Sequence, residues 1–111
     1  MATFVFLFMN DESFREAPKP KLDALYAEIA RWSDDLTRRG ILKGGFELQP
    51  RRTATTVRRV NGTMRVVDGP FLETKEVVGG FAKIEVADID EAIRIAKEFP
   101  GGIEIRRVVE H

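Results

Sequence analysis

Carboxylates are the foremost residues in this chain able to do chemistry, and two stand where chemistry could be placed. Asp11 follows the apolar run Phe4 to Met9, and Asp68 ends the run that begins at Thr63. The end of a central strand is where open sheets often present ligand-binding residues. A carboxylate held partly out of water there can serve as a general acid or base. Asp11, with Glu12 beside it, and Asp68 are therefore the candidate catalytic residues. Cysteine is absent, and the single histidine is the last residue, His111. Within this sequence that excludes thiolate chemistry, disulfides, Cys-based zinc sites, a multi-histidine metal centre and an internal Ser-His-Asp triad. No glycine-rich phosphate loop or nucleotide fingerprint occurs, and neither metal nor cofactor is expected.

The position of Asp68 can be read from a hairpin. Asn61-Gly62 between Thr53–Val60 and Thr63–Asp68 is a strong two-residue turn signal. With that turn, Val60 faces Thr63, Arg58 faces Arg65 and Thr55 faces Asp68. Asp68 then shares a face with Val57, Met64 and Val66, so its carboxylate leans to the more apolar, inward side. Such a group must be hydrogen-bonded, paired or used. In one reading it caps its own turn by accepting N–H groups around Phe71; in the other it belongs to a site. Arg58 opposite Arg65 is a like-charge pair that calls for a negative partner: Glu73, Glu76 or a bound anion. Arg58, Arg65, Phe71 and Glu73 are accordingly the candidate ligand-binding residues.

The elements that must position these residues follow from periodicity. Thr3 to Met9 is a strand apolar on both faces, Phe4, Phe6 and Phe8 on one and Val5, Leu7 and Met9 on the other, so it belongs at a sheet centre. After a loop holding Pro18 and Pro20, a helix is expected from about Lys21 to Arg39. Its buried stripe would be Leu22, Leu25, Tyr26, Ile29, Trp32, Ser33 and Leu36, with Tyr26 and Trp32 as core and Ser33 bonded to a carbonyl one turn back. Ile41 to Leu48 is a strand weakened by Gly44-Gly45, and Val77 to Val86 one in which Gly79-Gly80 marks a bulge or close approach. Asp88 caps a helix that buries Ile89, Ala92, Ile93, Ala96 and Phe99, and Ile103 to Val109 is the last strand. The order β-α-β, hairpin, β-α-β predicts an α+β fold, ferredoxin-like with an inserted β-hairpin. Two helices cover one sheet face only. The other, apolar at its centre and flanked by Lys83 and Glu85 or Glu104 and Arg106, calls for a second copy of the sheet and hence a homodimer.

Composition narrows the rest. The 111 residues suit a single domain, and 43% hydrophobic content marks a folded chain. Eighteen basic and eighteen acidic residues cancel, so no global field draws in nucleic acid or a membrane. The arginines from Arg51 to Arg65 lack interleaved aromatics, and direct nucleic-acid binding is not expected. The apolar N-terminal run is too short to span a bilayer and lacks a signal-peptide layout, which with the absence of cysteine fits a cytoplasmic protein.

The run Val67-Asp68-Gly69-Pro70-Phe71-Leu72-Glu73-Thr74-Lys75-Glu76, with Gly79-Gly80-Phe81 and the helix from Asp88 to Ala96, resembles the YCII-related proteins, specifically their DGPF subgroup. Leu48-Gln49-Pro50, Thr53 to Val57 and Asn10-Asp11-Glu12 extend the likeness over nearly the whole chain. The resemblance implies a dimeric α+β barrel and, from its bacterial members, an association with extracytoplasmic-function sigma factors. In the wider superfamily some members use a His from the first helix region with an Asp after the first strand. Asp11 matches that Asp, but Ser13 to Leu25 contains no His, so the dyad is incomplete here. Three readings of function follow: a homodimer binding a small ligand, anionic if Arg58 or Arg65 holds it, in a cleft near Asp11, Asp68, Phe71 and Glu73; a small lyase- or isomerase-like enzyme using Asp11 or Asp68 as its base; or, from the resemblance alone, a regulatory partner of an extracytoplasmic-function sigma factor.

Overall fold

Alternation along the first strand decides the layering. In β1 (Ala2–Asn10) the side chains of Ala2, Phe4 and Phe6 are buried, while Thr3, Val5 and Leu7 on the opposite face are half-buried. The structure, a computed structural model, describes residues 1–70 and 75–111. Its elements after β1 are α1 (Lys19–Arg38), β2 (Leu42–Glu47), β3 (Thr55–Val60), β4 (Thr63–Asp68), β5 (Val77–Val86), α2 (Ile89–Ala96) and β6 (Gly102–Arg107), with short 3-10 turns at Ser13–Glu16 and Arg51–Thr53. The four-stranded antiparallel sheet runs β2-β5-β1-β6, and β3 and β4 form a separate two-stranded sheet. This is a mixed α+β fold. β1 lies between β5 and β6, as its two apolar faces require.

One sheet face meets the helices. Phe4, Phe6, Ala82, Ile84 and Val86 from the sheet pack with Trp32 and Leu36 of α1 and with Ala92 and Ile95 of α2. Burying each of the larger apolar side chains contributes about 1.5–3 kcal/mol. α2 begins where expected: Asp88 accepts from the Glu91 N–H at 2.9 Å, and Glu91 in turn accepts from the Ala87 N–H at 3.1 Å. Its buried stripe is rotated by about one position from the expected one. Ala92 and Ile95 are buried, whereas Ile89 and Ile93 lie exposed, because Ala92, Ile95, Ala96 and Phe99 form the row that faces the sheet. α1 also starts earlier than expected, taking Pro20 into its first turn, where proline's missing N–H has no intrahelical partner to lose.

The other sheet face is open in the single chain. Val5 stands between Lys83 and Arg106, and Leu7 between Phe81 and Glu104, giving an apolar centre with charged flanks. The flanking charges pair at the surface, Lys43 with Glu85 at 3.7 Å and Arg106 with Glu104 at 3.4 Å. Exposed pairs of this kind add little stability.

The hairpin has the register read from its turn: Val60 faces Thr63, Arg58 faces Arg65 and Thr55 faces Asp68. Asn61 and Gly62 both have positive φ, 52° and 79°, the requirement of the tight turn that matches strand twist. The inward lean of Asp68 is corrected, however. Asp68 does share a face with Val57, Met64 and Val66, but that face is exposed, because the hairpin stands away from the four-stranded sheet instead of folding onto it. At its base Gly69, at φ 112°, donates its N–H to Ala54 O at 2.7 Å and accepts from Thr56 Oγ1 at 2.6 Å. Glycine is the residue that adopts this backbone without strain. Among the described residues no helix is long and apolar enough to cross a membrane.

Candidate ligand-binding site

A cavity of about 670 Å³ lies between α1 and the sheet, largely apolar in its walls. Its origin is a run of small residues on the helix-facing side of two neighbouring strands. Gly45 of β2 pairs with Ala82 of β5, and Gly80 pairs with Glu47. Where other strand positions send large side chains up toward a helix, these send a hydrogen or a methyl group, and the space above them stays unfilled. The glycines are required by strand contact. A Cβ on Gly80 would come 2.7 Å from Phe46 O, and one on Gly45 would strike Phe81 O. At Gly79 a Cβ would sit 2.5 Å from Asn10 Nδ2, and the β1–β5 register shifts beside it, between Phe8 and Met9.

Aromatic rings close one end. Trp32 meets Phe8 edge-on at 6.0 Å and Phe99 at 5.0 Å, and Phe8 lies 4.7 Å from Phe99. The indole N–H of Trp32 donates to Ile95 O at 3.1 Å, so its polar atom is satisfied inside the core. Leu25 and Ile29 form the roof and are only half-buried, which corrects the expectation that the whole α1 stripe is core. Ser33 lines the cavity; the bond to a carbonyl one turn back is made by Thr37, whose hydroxyl donates to Ser33 O at 2.8 Å.

The polar rim gathers at the β2 side. Tyr26, expected in the core, is partly exposed and donates its hydroxyl to Glu47 Oε2 at 2.7 Å. Arg15 holds the same neighbourhood, its Nη2 donating to Leu48 O at 3.1 Å and lying 3.9 Å from Glu47 Oε2. Partial burial raises the Tyr26 pKa above 10, and the hydrogen bond to Glu47 and that carboxylate's charge push it the same way. The phenol therefore stays protonated at neutral pH and remains a donor.

The candidate residues read from the sequence lie elsewhere. Asp11 is exposed in the turn after β1, where it accepts from Ser13 Oγ at 2.6 Å and from the Ser13 N–H at 2.9 Å. These bonds, the hydroxyl's first, hold its pKa below the ordinary 3.8. A lowered carboxylate stabilises the fold above its unfolded pKa and loses that contribution as pH falls through the folded one. The stability difference between wild type and Asp11→Ala is thus expected to be flat from about pH 5 to 8 and to shrink below about pH 4. Urea unfolding across that range checks this, and a difference that grows on acidification would contradict it.

Glu12, in the left-handed region at φ 70°, reaches across to the 3-10 turn of Arg51, accepting its N–H at 2.9 Å and pairing with its Nε at 3.2 Å. Asp68, Arg58 and Arg65 are exposed on the hairpin and do not line the cavity. Phe71 and Glu73 lie outside the described residues. Sequence reasoning missed Tyr26, Glu47 and Asn10 as cavity residues. The available signal was the two glycine pairs, Gly44-Gly45 and Gly79-Gly80, whose strands turn out to be neighbours.

The chain is thus a small α+β domain with a hairpin between the two halves of its four-stranded sheet and a cavity of about 670 Å³ beneath the first helix. The YCII-related domain model matches residues 3–111, and the chain belongs to that family. It is also similar to the Uncharacterized protein R00369 of Rhizobium meliloti (strain 1021), 33% identical over 96 residues that cover 86% of this chain and 77% of that protein.

Proposed function

We propose that this YCII-related protein is a homodimer that binds a compact, largely apolar molecule in the cavity beneath α1. The cavity itself carries the reading: about 670 Å³ falls within the roughly 300–1,000 Å³ of small-molecule pockets, which are typically apolar with a few polar groups. Glu47 uses one carboxylate oxygen for Tyr26, leaving Oε1 for a ligand donor such as a hydroxyl or amine. This replaces the anionic ligand suggested by Arg58 and Arg65, which stand on the hairpin. The strand order β2-β5-β1-β6 supports the ferredoxin-like description, and the open face around Val5 and Leu7 supports a face-to-face dimer of the barrel kind. The run from Asp68 to Phe71 supports the DGPF subgroup. The acid–base reading is weaker at Asp11, since a fully solvated carboxylate with a lowered pKa is a poor base.

A thermal-shift screen of apolar amines, phenols and alcohols tests the reading on wild type and on Ile29→Trp, which puts a larger side chain into the cavity roof. A ligand at a hundredfold its Kd is expected to raise the wild-type Tm on the order of 10 °C and to leave a folded Ile29→Trp unmoved. Hits that stabilise both proteins equally would place binding elsewhere and overturn the proposal.

A further inference from the structure

We propose that the β3–β4 hairpin is an interprotomer arm, whose Val57–Met64–Val66 face packs against a second copy of this chain. The inference rests on the homodimer above and adds to it a surface that the open sheet face does not include. Val57, Met64 and Val66 are 55%, 52% and 69% exposed, although alternation puts all three on one face of the hairpin. A two-stranded hairpin with nothing against it is only marginally stable in water, so an apolar face of this kind needs a cover.

The dimensions of the chain point the same way. Its radius of gyration is 16.2 Å, against about 13 Å for a compact domain of this length. Its accessible surface is 8009 Å², against about 6,200 Å² for a compact monomer of this mass. The excess of about 1,800 Å² exceeds the roughly 800 Å² that each partner contributes to a standard stable interface. One chain thus leaves two apolar surfaces uncovered, the arm and the outer sheet face. A two-fold operator covers surfaces reciprocally, each protomer giving an arm and receiving one. Charge suits a second copy as the occupant. The arm face carries Arg59 and Asp68, the sheet face Lys83, Glu85, Glu104 and Arg106, and the whole chain has a formal net charge of +0, so no strong field opposes self-association.

Adjacent residues of β4 make the test, because Val66 and Val67 point to opposite faces of the same strand. Sedimentation equilibrium on wild type, Val66→Glu and Val67→Glu, each checked for folding by circular dichroism, is expected to show dimerisation weakened on the order of tenfold or more by Val66→Glu. Val67→Glu should leave it within about twofold, its face being the polar one. Val57→Glu, cross-strand from Val66, should reproduce the loss and guards against a local defect of β4. A dimeric wild type that tolerates Val57→Glu and Val66→Glu, or loses as much with Val67→Glu, overturns the arm and leaves the dimer standing. A wild type monomeric at every concentration overturns both.

Discussion

Replacing Trp32 by alanine is expected to remove about 3–5 kcal/mol of folding stability, a large share of the total for a domain of this size. Trp32 is where three elements meet. It stacks on Phe6 at 6.3 Å, meets Phe8 and Phe99 edge-on, and ties α1 to the end of α2 through Ile95 O. Alanine would remove the ring from a buried site and take from the Ile95 carbonyl one of its two donors, the Glu98 N–H at 3.1 Å remaining, so the lost indole bond adds a smaller term to the packing loss. Because α1 keeps its cavity-side residues half-buried, Trp32 and Leu36 carry most of its attachment to the core. Trp32→Phe separates the two contributions: it retains a ring but no N–H, and its cost should fall well below that of alanine. Urea unfolding of the three proteins gives the values. A loss under 1 kcal/mol for Trp32→Ala would mean that α1 is held by something other than this contact.

Gly45→Ala is expected to be nearly as damaging, at roughly 2–4 kcal/mol, although it adds a single methyl group at a residue outside the buried core. The new Cβ would run into Phe81 O and come 2.8 Å from Ala82 Cα, both backbone atoms of the paired strand. A flexible side chain could swing aside; a strand bonded on both edges cannot, so β2 must shift away from β5. That shift would also deform the cavity floor. Ligand affinity is therefore expected to fall along with stability, whereas Gly44→Ala, whose Cβ meets nothing within 4 Å, should do less to the packing. Equal unfolding midpoints for Gly45→Ala and wild type would contradict the close approach.

How much was legible in the sequence varies with the range of the interaction. The hairpin register needed only Asn61-Gly62 and counting, since a two-residue turn fixes every pair above it. The Asp88 cap is equally local, a side chain bonding the backbone three residues on. The direction of Asp68 was half legible. Alternation placed it with Val57, Met64 and Val66, but parity says which residues share a face, not what that face meets. The cavity was harder to see, because the residues that make it are far apart in the chain: Gly45 beside Ala82, Glu47 under Tyr26, Trp32 against Phe99.

The sequence by itself thus determined the strands, the helices, the hairpin and the two apolar faces of β1, because these follow from side-chain period and from turn and cap chemistry within a few residues. Only the tertiary structure decided that two glycine-bearing strands lie side by side beneath α1, that Tyr26 finds Glu47, and that the hairpin stands clear of the sheet. Those outcomes depend on which distant surfaces pack together. The choice is made by the shape and volume of whole elements, which local pattern does not encode.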